Sequence, residues 1–155
     1  MEEHTVGMCP LTKGEHMLVA VDGSKCSEHA VDQAVSLGRM CNSKIYLVSV
    51  VDIHPDNISD APYLVDKLTE QAQEFLEKAK KKVEAASIDC ETIVHTGNKP
   101  HEHIIDDAKK NKVDLIVLGT HGRTGMKQIL LGSVAQKVVG LAPCPIMIIP
   151  QSFDY

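Results

Sequence analysis

The 155-residue chain has 43% hydrophobic and 24% charged residues, within the range of a folded globular domain and away from that of a disordered one. A formal net charge of -5 with no long basic run argues against a nucleic-acid backbone or an anionic membrane as the main partner, because both reward clustered Lys and Arg. Five widely spaced cysteines without a C-x-x-C pair are expected to be reduced thiols, and no apolar run reaches the roughly 18 residues of a membrane span, so a cytoplasmic protein is expected.

Residues 1–14 lack a targeting core and are expected to form a flexible extension ahead of one domain over 15–155. From there apolar runs alternate with amphipathic stretches, the pattern of parallel strands joined by helical crossovers. The first strand is predicted at Met17 to Val21, ending at Asp22, and a helix with apolar Ala30, Val31, Ala34, Val35 and Leu37 follows over Lys25 to Met40. Lys44 to Val51 reads as the second strand. Val65, Leu68, Ala72, Phe75, Ala79 and Val83 then mark a long amphipathic helix with Pro62 in its first turn. A third strand at Cys90 to His95, a helix begun at Pro100, a strand at Asp114 to Leu118, a helix through Val134 and Val138, and a strand at Pro145 to Ile149 complete the chain. The strands are near-continuous Val, Ile, Leu and Met, as both-face burial requires.

The segment with the most chemical content is G-T-H-G-R-T-G-M-K-Q-I-L-L-G-S, Gly119 to Ser133, between a buried strand and a helix. Gly119, Gly122 and Gly132 are expected to take positive φ or to let the backbone approach a ligand, turning N–H groups toward phosphate oxygens. Ser133 opens the helix, where unpaired amides and the positive dipole end favour an anion. Arg123 and Lys127 lie in the loop and no Asp or Glu interrupts it. His121 either hydrogen-bonds a phosphate or faces solvent. The spacing is neither that of a Walker loop nor G-x-G-x-x-G.

Asp22 in V-D-G-S has two readings: an acceptor for ribose hydroxyls, or a turn acid beside Gly23. For Asp22 and the glycine loop to touch one ligand, strands one and four must be neighbours. That predicts an α/β fold, a doubly wound, Rossmann-like five-stranded parallel sheet of order 3-2-1-4-5, with the ligand at the topological switch point. Ile146 to Ile149 then form an apolar edge with no gatekeeping charge, suited to a twofold partner, with the 151–155 tail as the alternative cover. His101 and His103, two apart on a helix, are not expected to share a metal. No catalytic or protein-held metal residue is assigned. Cys144 reads as a packed residue.

The spacing G-x2-G-x9-G-S at Gly119, Gly122, Gly132 and Ser133, with V-D-G-S, S-V-V-D at Ser49 to Asp52 and the closing C-P-I-M-I-I-P, resembles the universal stress protein family. The resemblance implies ATP binding, with Asp22 and Gly119 at the ribose, the Val50 backbone at the adenine edge, and Gly122, Gly132, Ser133 and the Val134 amide at the phosphates. It also implies a homodimer through the last strand, near Ile146 and Ile148. A Mg2+ or Mn2+ ion is expected on the phosphates. The resulting expectation is an ATP-dependent regulatory switch acting on another protein. The alternatives are a slow ATPase or phosphotransferase, for which His121 is the only base in the loop, and an AMP-binding or nucleotide-free interaction protein.

Overall fold

The computed structural model describes residues 9–54, 56, 59, 61–122 and 131–151. Among them run β1 (His16–Ala20), α1 (Lys25–Cys41), β2 (Lys44–Asp52), α2 (Pro62–Ala85), β3 (Cys90–Gly97), α3 (Pro100–Lys110), β4 (Leu115–Gly119), α4 (Ser133–Leu141) and β5 (Ile146–Ile149). The strands form one parallel sheet in the expected order β3-β2-β1-β4-β5.

Side chains alternate across a strand, so each apolar run feeds two cores. Met17, Val19, Ile45, Leu47 and Val117 pack beneath α1 and α2 with Ala30, Ala34, Leu76 and Val83. Leu18, Tyr46, Val48, Ile116 and Leu118 pack on the other face with Ile104, Ala108 and Val138 of α3 and α4. Two-sided burial is why these strands carry no polar alternation.

Local chemistry sets the helix ends. Ser24 caps α1, its Oγ accepting from the Ser27 N–H at 3.2 Å, and Asn42 at φ 53 closes the helix by donating to the Gly38 carbonyl. Pro62 and Pro100 each occupy a first turn, where a missing N–H costs nothing.

Two sequence expectations change at the amino end. Cys9 and Cys41 form a disulfide, with Cα atoms 4.6 Å apart, so these two cysteines are not thiols. Their separation of 32 residues hid the pairing; only the return of the chain beneath the carboxyl end of α1 brings them together. From Cys9 onward the expected loose extension is docked: Leu11 packs on the α1 side core and Gly14 is buried. Residues 1–8 lie outside the described residues.

Candidate functional site

At the carboxyl ends of its strands the sheet is stepped. β1 stops at Ala20, with one further bond from the Val21 N–H to the Val48 carbonyl at 2.8 Å, while β2 continues beside β3 to Asp52. Main-chain groups alternate sides along a strand. Val48 faces β1 and Ile53 bonds the Gly97 carbonyl of β3, so the Val50 peptide groups face β1's side, beyond its end. The resulting crevice between β1 and β4 is a cavity of about 650 Å3, a common size for small-molecule sites.

Asp22 stands at its floor. Its Oδ1 accepts the Ser24 N–H at 2.9 Å, so the turn-acid reading holds, and Oδ2 points at Gly122, where an added Cβ would sit 3.0 Å from it. The two sequence readings are therefore compatible, one per oxygen. Gly23 follows at φ 81, and the Phe75 ring of α2 would lie 2.6 Å from a Cβ there. Gly23→Ala meets both a backbone penalty and the ring; it is expected to lower stability by about 2 kcal/mol in urea unfolding.

Gly122, where the glycine segment leaves β4, lies beside Asp22, and of the two expected uses of the glycines one is seen. None of Gly119, Gly122 and Gly132 has positive φ; Gly23 alone does among the described glycines. The three serve close approach. At Gly119 a Cβ would fall 2.4 Å from the Cys26 Cβ, so α1 and β4 touch there. Gly132 lies in extended backbone at φ -63, ψ 158, and its N–H donates to the Thr120 carbonyl at 2.6 Å. That amide is spent internally, which removes it from the expected phosphate donors. The bond pinches the two ends of the loop together at its neck.

Beyond the neck α4 starts without a capping side chain and without an acid in its first turn. The Gln136 N–H makes the first helical bond, to Gly132, which leaves the Ser133, Val134 and Ala135 amides pointing along the axis at the cavity they line. His121 lines the same cavity, its Nδ1 2.9 Å from the Thr120 Oγ1, which in turn lies 3.8 Å from the Cys26 sulfur. Arg123 and Lys127 fall outside the described residues. Sequence reasoning missed Phe75, Thr120 and Ser27 as parts of the wall. Phe75, one of two phenylalanines in the chain, packs on the α1 side core as its spacing predicts and lines the cavity as well.

His103 stacks on His95 with ring centroids 4.5 Å apart, His95 Nε2 lies 2.7 Å from the buried Asp107 carboxylate, and no group of three possible ligands stands together among the described residues. Burial pushes the Cys144 thiol up, consistent with a packed residue.

The parallel sheet of order β3-β2-β1-β4-β5, with its crevice at the switch point, places the chain among doubly wound α/β domains. Residues 14–150 match the model of the universal stress protein family, and the chain belongs to that family. It is 35% identical over 137 residues to universal stress protein MJ0531 of Methanocaldococcus jannaschii, covering 86% of this chain and 80% of that one. Its structure is similar to that of the hypothetical protein MJ0577 from the same organism, with a TM-score of 0.80 and 29% identity over 90% of this chain and 98% of the other. A universal stress protein solved in complex with cAMP shares 25% identity at a TM-score of 0.67, over 91% of this chain and all of that one.

Proposed function

We propose that the protein binds an adenine nucleotide, with ATP as the principal ligand and AMP as the alternative, and acts as a homodimeric regulatory switch of the cytoplasmic stress response. The observation that supports this most is the meeting of two complementary half-sites on one cavity. Asp22 Oδ2, with no partner among the described residues, is an acceptor for ribose hydroxyls; the uncapped start of α4 is a donor set for phosphate. Asp22 and Gly119 bracket the sugar. The Val50 peptide, on the exposed side of β2, suits the donor and acceptor edge of adenine. Gly122, Ser133 and Val134 surround the phosphates with His121 beside them, and Arg123, next in sequence, supplies a positive charge for them, while Gly132 contributes by leaving room. A cAMP complex in a relative of the same fold supports the nucleotide class.

A Mg2+ or Mn2+ ion would take its ligands from phosphate and water, since the described residues offer no cluster of three metal-binding side chains. Its charge would offset the triphosphate. Dimerisation is assigned to β5, whose Ile146 and Ile148 are half-buried at the sheet edge. Occupancy of the cavity then bears on α4, whose first turn lines it, which is how a second protein reads it.

The nucleotide copurifying with the protein identifies the ligand directly. Ser133→Pro tests the phosphate half-site. Gly132 already has the extended conformation that a following proline requires, and a first-turn proline suits a helix, so the fold stands while one N–H and one hydroxyl are lost. ATP affinity by calorimetry is expected to fall about tenfold, roughly 1.4 kcal/mol, with an unchanged urea midpoint. Unaltered affinity would remove α4 from the site. Gly132→Val is a poorer probe, because its Cβ would press on the Thr120 carbonyl at 3.0 Å before meeting any ligand.

A further inference from the structure

We propose that the Cys9–Cys41 disulfide is a redox latch that holds residues 9–13 against the base of the sheet, at the end opposite the nucleotide crevice, and that a dithiol reductant opens it. Cys9 and Cys41 are both half-buried residues, so the bond lies near the surface and not in the core. They flank Gly14, where an added Cβ would lie 3.1 Å from the Cys9 sulfur and 3.2 Å from the Cys41 sulfur. The strap is thus seated in a tight slot.

What else retains the strap is slight. Lys13 reaches Asp114 at 3.9 Å from an exposed position, a contact worth little in water, and Leu11 packs on the α1 side core. From Gly14 onward the chain is held independently: Ser43 Oγ donates to the Gly14 carbonyl, Lys44 N–H donates to the Glu15 carbonyl at 2.8 Å, and His16 N–H donates to Asp114 at 3.0 Å. The covalent bond therefore controls a short segment whose release stops at Gly14. Release bares the apolar end of α1 next to Met40, which is already exposed.

The exchange balances within the named reactants. A thiolate of the dithiol attacks one sulfur, the Cys9–Cys41 bond breaks, and a mixed disulfide forms. The second thiol of the reductant then displaces the protein sulfur; the reductant ends as a disulfide, and Cys9 and Cys41 each gain a proton and share the two electrons. The three other described cysteines do not compete. Cys26 is buried, burial pushes the Cys90 thiol up to about 11, and burial also raises Cys144, so these thiols stay protonated at neutral pH. In the cytoplasm proposed above, disulfides that do form are characteristically transient or redox-sensing.

The test uses full-length protein titrated with reduced and oxidised dithiothreitol, followed by thiol alkylation, peptide mass mapping and limited trypsin digestion. Trypsin cuts after Lys13, the last residue of the strap. Reduction under native conditions is expected to label Cys9 and Cys41 first and to speed cleavage after Lys13 about tenfold, with the sites between residues 16 and 119 still protected. Cys9→Ser and Cys41→Ser should each show the fast cleavage without reductant. Three results overturn the latch: no Cys9–Cys41 pairing in the oxidised protein, a bond that survives excess dithiothreitol until the chain unfolds, or reduction that opens every tryptic site together.

Discussion

Gly119→Ala is expected to lower folding stability by about 3 kcal/mol, a fall in Tm of roughly 10 °C for a chain of this size, although it adds a single methyl group. The added Cβ would lie 2.4 Å from the Cys26 Cβ and 3.2 Å from the Cys26 carbonyl carbon. Neither side can yield easily. Gly119 is held in β4 opposite Ile149, and Cys26 sits in the first turn of α1, fixed by the Ser24 cap and buried under the helix. The methyl must push α1 from the sheet, widening the floor of the cavity at Asp22. Urea unfolding measures the cost. Cys26→Gly in the same chain should recover part of it, because the two substitutions share one contact. Equal midpoints for Gly119→Ala and the parent protein would mean that α1 and β4 do not touch here.

Asp22→Asn is expected to weaken ATP binding about 30-fold, equivalent to roughly 2 kcal/mol, with folding stability nearly unchanged. The amide oxygen can still accept the Ser24 N–H that Oδ1 accepts at 2.9 Å, so the turn survives. What goes is the charged acceptor on the Gly122 side, replaced by an NH2 that cannot accept from a ribose hydroxyl and offers it only a neutral N–H donor. Calorimetry with ATP and with its 2′,3′-dideoxy analogue separates the causes. The parent protein should lose affinity for the analogue, while the variant should bind the two ligands alike. A variant that still prefers ATP by the parental factor would place the ribose elsewhere.

The fold was legible because two-sided burial writes itself into composition. Leu18 and Val19 serve opposite cores, yet each must be apolar, so the strands appear as unbroken runs. Strand order was legible for another reason: Asp22 and the glycine loop make sense together only across neighbouring strands, and β1 does pair with β4. The purpose of the glycines was less so. Sequence cannot distinguish a glycine that bends the chain from one that admits a neighbour, and here Gly119 admits α1, whereas Gly23 does both. The internal use of the Gly132 amide and the Cys9–Cys41 pairing were hidden for a common reason. Each depends on chain segments that meet only after the sheet has formed.

The pinch between Gly132 and Thr120 has a consequence for how such a pocket diversifies. The 2.6 Å hydrogen bond itself registers the start of α4 against the end of β4. Doubling the length of a closed loop costs only about 0.6 kcal/mol of chain entropy. Ligand preference can therefore drift through insertions and replacements above the pinch while the framework beneath keeps its shape, which separates inheritance of the scaffold from inheritance of the specificity.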